Sequence, residues 1–161
     1  MVIIMKVHKV PLMSKTEYDE LIRENYVSRI GFKGEYPYIA PFIYVFDGRF
    51  IYFLSTKYGK KIERFKASPK VAVEIEKYAD DLSEYRFVTL QGRIEQVDDD
   101  NEKLDVRKRF LDLIGNKSLS KNVMAALGHS PTDDLDSIVK EERSYVWKLV
   151  DVENIIGIKT S

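Results

Sequence analysis

The chain contains no cysteine and only two histidines, His8 and His129, among its 161 residues. The absence of cysteine excludes disulfide scaffolds, thiol nucleophiles, iron–sulfur clusters and cysteine-based zinc sites. The histidines lie far apart in the sequence and form no His-x-x-x-His or His-x-His pair, so no metal site is expected. Both are expected to be solvated loop residues, and no catalytic side chain is predicted. Chemistry is expected to come from a bound cofactor.

The sequence also lacks an excess of either charge, since 26 Lys and Arg side chains balance 26 Asp and Glu. A neutral chain is a poor general binder of polyanions, so no nucleic-acid partner is expected unless a local basic patch supplies the charge. No apolar run is long enough for a membrane span, and the run at residues 1–5 is too short for a signal peptide. We therefore expect a cytoplasmic protein with no membrane attachment.

One domain over residues 1–161 is expected, because the length is that of an ordinary domain and 44% of the residues are hydrophobic. Ser14 and Glu17 have capping-box spacing and predict a helix over 15–25. Asp47-Gly48 predicts a tight hairpin, and Gly92 within a strand predicts a bulge or a close approach of the main chain. Strands are predicted at 27–33, 36–46, 49–55, 71–76, 85–97 and 144–150, and further helices at 58–66 and from about 98–101 to 116.

The connections between most of these strands are too short for parallel crossovers. The sequence therefore predicts a mainly β fold, an antiparallel barrel of six to seven strands with flanking helices. Residues 1–13 form an N-terminal extension and residues 100–142 a helical or loop insertion before the last strand. Residues 152–157 are expected to end the fold with a turn and an apolar patch.

A basic cluster marks the segment that follows the third predicted strand. Ser55 and Thr56 end the strand, and a glycine and two lysines open the next helix, which together would offer hydroxyls, positive charge and a helix dipole to one anion. The segment thus favours a phosphate site, although a solvated basic surface is the alternative. The six basic residues are Lys57, Lys60, Lys61, Arg64, Lys66 and Lys70.

The order and spacing of these motifs resemble the pyridoxamine 5′-phosphate oxidase-like family of FMN-binding split barrels, particularly its nitroimidazole-resistance-related branch. The resemblance covers residues 14–97 and the last strand. The segments that carry it are Pro37 to Val45, Asp47-Gly48, Ile51 to Ser55, Gly59-Lys60-Lys61, Ser68 to Val71, Tyr85 to Val88 with Gly92, and Ile155 to Lys159.

The resemblance implies that FMN is the cofactor and indicates which residues hold it. Its phosphate would be bound by Ser55, Thr56, Lys60 and Lys61. The flavin ring would lie along the main chain of Ile39, Ala40, Pro41 and Phe42. The family dimer would bring Arg86 and Phe87 of a second subunit to the same site. A surface salt bridge is the alternative role for Arg86, and the barrel core is the alternative for Phe42.

The function that the resemblance implies is that of an FMN-dependent oxidoreductase acting with a small-molecule substrate or a reduced nicotinamide donor. Relatives in the nitroimidazole-resistance branch carry a histidine where Leu54 stands, and pyridoxamine oxidases carry a glutamine at the position of Phe87 and an arginine-rich tail that is missing here. Pyridoxine biosynthesis is therefore not expected. The alternatives are a non-catalytic flavin- or haem-binding module and a DNA-binding role for the lysine-rich helix. A homodimer is expected because Tyr85, Phe87 and Trp147 would expose more apolar surface than the helices can cover.

Overall fold

Residues 5–161 are described in the computed structural model of the chain, so most of the apolar run predicted at 1–5 lies outside the described residues. The described part contains five helices and six strands. They are α1 (Lys15–Glu24), β1 (Val27–Phe32), β2 (Tyr38–Phe46), β3 (Ile51–Thr56), α2 (Lys60–Ala67), β4 (Lys70–Tyr78), β5 (Tyr85–Gln96), α3 (Asp100–Asn116), α4 (Val123–Ala126), α5 (Ser137–Lys140) and β6 (Ser144–Lys159).

The six strands close into an antiparallel barrel in the order β1-β2-β3-β6-β5-β4, which confirms the predicted fold class. The hairpin between β2 and β3 forms at Asp47-Gly48 as predicted. The Asp47 carboxylate accepts hydrogen bonds from the main-chain N–H groups of Arg49 and Phe50, and Gly48 takes a positive φ of 96°. The capping box of α1 is also present, since Ser14 and Glu17 each accept a hydrogen bond from the other's main-chain N–H.

The barrel is split between β2 and β3. These two strands pair only next to their hairpin, where Tyr44, Val45 and Phe46 face Phe53, Tyr52 and Ile51. The first half of β2, residues 38–43, pairs with β1 on one side. The end of β3, residues 54–56, pairs with β6 on its other side. A gap therefore separates the first half of β2 from the end of β3.

Aromatic side chains fill the barrel interior next to this gap. Phe42 packs against Phe53 and Trp147, with ring centroids 5.7 and 5.8 Å apart. Phe65 of α2 reaches the same tryptophan at 4.9 Å. The expectation that Trp147 contributes to an exposed surface is wrong, because its side chain lies inside the barrel with 0% of it exposed.

The insertion between β5 and β6 covers one outer face of the barrel. α3 and α5 pack there through Val106, Phe110, Ile114 and Ile138, against Val45, Tyr52, Leu54 and Val146 of the strands. The cluster under this insertion includes no residue of β1, β4, β5 or the second half of β6, so the outer face of these strands lies away from the insertion. No helix among residues 5–161 is long and apolar enough to cross a membrane.

The last strand is longer than the sequence predicts. Residues 152–157 form no terminal turn, because β6 continues to Lys159 and pairs with β5 over residues 147–150 and 154–159. The predicted bulge at Gly92 is confirmed by a shift in register between Gln91 and Arg93. Gly92 is required there, since a Cβ atom would lie 2.7 Å from the carbonyl oxygen of Val150.

Candidate functional site

The gap between β2 and β3 is bordered by the N-terminus of α2. This helix starts after Gly59, which takes a positive φ of 103° and provides no side-chain cap. The first main-chain N–H groups of a helix have no partner within the helix, so Lys60 and Lys61 lie where donors and a positive helix dipole are concentrated. The space next to Gly59 is open, and a depression of about 460 Å³ lies beside the helix, lined by Tyr58, Gly59, Lys60, Ile62, Glu63 and Lys66.

Both lysines are directed towards aromatic side chains at the gap. The Nζ atom of Lys61 lies 5.7 Å from the centre of the Phe42 ring and 5.9 Å from that of Tyr58. The Nζ atom of Lys60 lies 5.6 Å from the Tyr38 ring. Neither lysine forms an ion pair with another residue between 5 and 161. Their charges are therefore available to an anion.

Burial affects the two lysines differently. Lys61 is half-buried, and the loss of contact with water lowers the pKa of its ammonium group. Lys60 is exposed. A cation that is partly removed from water and has no carboxylate partner is stabilised by a bound anion more than a solvated cation is. Lys61 is thus the stronger candidate of the pair for holding a phosphate.

The predicted hydroxyl partners lie at the end of β3, immediately before this helix. Ser55 and Thr56 are both buried. The Ser55 hydroxyl donates to the carbonyl of Thr56 at 2.9 Å, and the Thr56 hydroxyl donates to the carbonyl of Tyr58 at 3.3 Å. These bonds shape the turn that leads into α2. A phosphate that engaged either hydroxyl would have to replace one of them.

The predicted ring-binding segment of β2 divides into outward and inward residues. Ile39, which is 65% exposed, and Pro41 face outwards, whereas Ala40 and Phe42 point into the barrel. Because β3 does not pair with this part of β2, one edge of its main chain is free for other partners. Ala40 and Phe42 could therefore contact a ligand in the gap through their main chain, while their side chains belong to the core.

Arg86 and Phe87 lie elsewhere in the same chain. They sit at the start of β5, near the end of the barrel closed by α1, where Arg86 donates to the carboxylate of Glu24 at 3.1 Å. Phe87 stacks on Tyr78 with ring centroids 6.1 Å apart. Within one chain the structure thus brings β2, Ser55, Thr56 and the two lysines together but not Arg86 and Phe87. Their predicted contribution from a second subunit remains a prediction.

The expectation that His129 is solvated is wrong. It is only 5% exposed, under the helical insertion, and its Nδ1 atom lies 3.0 Å from the hydroxyl of Ser137. Burial, and then the charge of Arg143, lower its pKa. His8 is exposed, as expected. The described residues contain no cluster of three or more side chains that could hold a metal ion.

Sequence reasoning missed the residue that positions the site helix. Arg64 of α2 donates through Nη1 to the carbonyls of Lys33 and Tyr36, at 2.9 and 3.1 Å. These carbonyls belong to the connection that precedes β2, so Arg64 joins the two sides of the gap. In the sequence, Arg64 is one of six basic residues in the cluster. Its position on the inner side of α2, three residues after Lys61, is the one signal that distinguishes it from the others.

These features define a split β-barrel of the flavin-binding type, with a basic helix start at the split. The sequence model of the pyridoxamine 5′-phosphate oxidase family matches residues 14–145, and the chain belongs to this family. The resemblance seen in the sequence is thereby confirmed. No curated protein matches the chain.

Solved structures with the same fold include proteins with different ligands. A FAD-binding protein from Mesorhizobium loti is 21% identical, with a TM-score of 0.69 over 94% of this chain and 99% of that one. A haem storage protein from Vibrio cholerae is 12% identical, with a TM-score of 0.65 over 90% and 94% of the two chains. A proposed 5-nitroimidazole antibiotic resistance protein from Bacteroides thetaiotaomicron is 18% identical, with a TM-score of 0.61 over 94% and 87%.

Proposed function

We propose that this protein binds FMN in the gap between β2 and β3 and acts as a flavin-dependent oxidoreductase. The observation that carries the proposal is the pair Lys60 and Lys61, which opens α2 without carboxylate partners and borders the free edge of β2. The lysines and the helix start would hold the phosphate, with Ser55 and Thr56 beside them. The flavin ring would lie along the main chain of residues 39–42.

Some residues of this site would bind the cofactor, and others would exclude water from it. The flavin, when bound, would supply hydride exchange with a reduced nicotinamide donor or a small-molecule substrate. Ile39 and Pro41 present apolar surface to the outside of the gap. They would cover part of the ring once a second surface closes over them.

A second copy of the chain is the proposed source of that surface. On the outer face that lies away from the insertion, Ile39 and Pro41 of β2 lie next to Gly31 and Arg29 of β1. This face continues across β4 and β5 to Ile156 of β6. Small side chains at Gly31 and Ala72 leave a hollow of about 1000 Å³ in this face. A twofold pairing of the face would bury its apolar residues and bring Arg86 and Phe87 of one subunit towards the lysines of the other.

The absorption spectrum of the purified protein tests the proposal directly. Protein titrated with FMN should bind one flavin per chain, bind riboflavin more weakly, and lose its flavin absorbance when NADH or NADPH is added. Failure to bind FMN, or a Soret band on addition of haem without any flavin binding, would contradict it. Binding of FMN without reduction by either nicotinamide would support the cofactor and contradict the oxidoreductase.

A further inference from the structure

A second group of cations lies outside the proposed flavin site, where the helical insertion meets the end of β3. Its central residue is Arg107 of α3, which is only 3% exposed. One guanidinium nitrogen, Nη2, donates to the carbonyl of Ser144 at 2.8 Å. Ser144 is the residue of β6 that faces Thr56 at the end of β3.

The buried guanidinium has few partners. Its Nε atom has no hydrogen-bond partner, and neither has the hydroxyl of Ser144, although both are buried. Among residues 5–161, Glu142 is the one carboxylate within salt-bridge distance, at 3.7 Å from Nη1. A buried charge is costly unless it is paired and hydrogen-bonded. Arg107 therefore has donors to spare for an additional anion.

One lysine completes the group. Lys103, one turn before Arg107 on α3, lies 3.0 Å from Glu142. Its hydrogen bond, and then the charge of Arg107, lower the pKa of the Glu142 carboxyl. Two cations thus act on one carboxylate.

The carboxylate at the centre of this group is open to solvent. The side chain of Glu142 is 61% exposed and belongs to the coil between α5 and β6. Rotation of this side chain into water would leave two cations, opposed by Asp100, whose exposed carboxylate lies 3.4 Å from Lys103. A buried guanidinium beside an ammonium group suits an anion with several oxygens.

We propose that Lys103 and Arg107 form a second anion site, which takes a phosphate group and is occupied by the carboxylate of Glu142 when that group is absent. The ligand exchanges one carboxylate for a group that can use the free donors of Arg107 and Ser144. No covalent step is involved. The site does not depend on the proposed flavin function, because it shares none of the residues assigned to the cofactor.

Calorimetric titration with inorganic phosphate at low ionic strength tests this site. The full chain carrying Lys60→Ala and Lys61→Ala is the background, so that the proposed flavin site contributes nothing whether or not flavin binds. Glu142→Gln in this background should bind phosphate at least about threefold more tightly, because the competing charge is removed. Lys103→Met should weaken binding about tenfold.

Lys108→Met is the matched control, since Lys108 is exposed on the same helix and makes no ion pair within residues 5–161. It should leave affinity unchanged. Arg107→Lys keeps the charge but not the forked donors, and should weaken binding while the circular dichroism spectrum stays native. Comparable binding of adenosine 5′-phosphate would show that the group can be carried by a nucleotide, whereas binding of inorganic phosphate alone would identify a site for the free ion.

Three results would overturn the proposal. The first is the absence of phosphate binding to both the background chain and its Glu142→Gln form. The second is equal loss of affinity in Lys103→Met and Lys108→Met, which would reveal a general effect of charge. The third is a Glu142→Gln form that binds no more tightly than the background chain, because Glu142 would then not occupy the site.

Discussion

The guanidinium of Arg64 fills the space that a side chain at position 34 would need. A Cβ atom built on Gly34 collides with the Nη1 and Cζ atoms of Arg64, and the same Nη1 atom holds the carbonyls of Lys33 and Tyr36. Gly34 is therefore a condition for the contact that joins α2 to the connection before β2. The position of the two site lysines depends on this contact, because they lie one turn before Arg64 on the same helix.

Gly34→Ala should accordingly expel the Arg64 side chain and weaken the attachment of α2. Loss of these hydrogen bonds at an exposed position should reduce the free energy of unfolding by about 1 kcal/mol. Urea unfolding measures this change in the free energy of unfolding. In an Arg64→Ala background the same change should cost much less, since the clash is gone, and strict additivity of the two changes would contradict the coupling. Gly115→Ala in α3 is the control, because no atom approaches that position, and it should stabilise the chain slightly.

Lys61→Ala should weaken FMN binding roughly ten- to a hundredfold, because one charge-assisted contact to the phosphate is lost from a half-buried position. Riboflavin has the same ring without the phosphate, so its affinity should change little. Fluorescence titration with both ligands gives the comparison. If riboflavin binding falls as much as FMN binding, Lys61 supports the ring or the fold and the phosphate assignment is incorrect.

The control for this experiment should be taken from outside the α2 surface. Lys66 lies one turn after Lys61, but it lines the same depression as Lys60 and would not be independent of the site. Lys108 on the exposed side of α3 is better suited. Lys108→Ala should bind both ligands as the native chain does, and an equal loss in the two variants would identify a diffuse effect of positive charge.

Ile156→Glu should convert the proposed dimer into a monomer. Ile156 is 58% exposed on the outer face away from the insertion, opposite Thr89 of β5, and a charge there would be buried without a partner in a twofold pairing. Sedimentation should show the smaller species, and FMN binding should weaken with it. Leu104→Glu, on the outer side of α3, should change neither. A native chain that sediments as a monomer and still binds FMN tightly would rule out the shared site.

Acid should destabilise the chain partly through His129. Its pKa is lowered in the folded state, mainly by burial, so the unfolded chain binds the proton more readily. Above the ordinary histidine pKa of about 6.5, His129 is neutral in both states and the free energy of unfolding is not reduced by its protonation. Below this pH the free energy of unfolding falls by at most about 1.4 kcal/mol per pH unit. Urea unfolding at pH 7.5 and 5.5 should show a smaller difference for His129→Gln than for the native chain. His8→Gln should retain the native difference.

The parts of the fold that follow from local chemistry could be predicted from the sequence. The hairpin at Asp47-Gly48 depends on an Asp side chain that bonds the next main-chain N–H groups and on a glycine with positive φ. The capping box of α1 is equally local. The basic start of α2 could be predicted because the lysine pair comes directly after a strand and a glycine. In each case the residues that determine the structure are neighbours in the chain.

The features that depend on distant residues could not be predicted. Residues 152–157 resemble a turn in sequence, and they form a strand because β5 extends far enough to pair with them. The positive φ of Asp151 and its ion pair with Arg93 accommodate the bulge between the two strands. His129 lies in a polar segment, but it is buried, with its ring against Ser137 of α5. These outcomes depend on residues that are not neighbours in the chain.

Because the barrel is split between β2 and β3, different residues close the cylinder and set the width of the opening. Closure of the cylinder depends on the short pairing next to the hairpin and on the ladders of the other strands. The width of the opening depends instead on where α2 sits. Arg64 holds this helix to the connection before β2 through contacts on the surface, and Phe65 holds it to Trp147 in the interior. Substitutions at Arg64 or in the connection before β2 can therefore resize the opening while the hydrophobic interior stays unchanged. Substitutions around the opening alone can therefore adapt this barrel to ligands of different size during evolution.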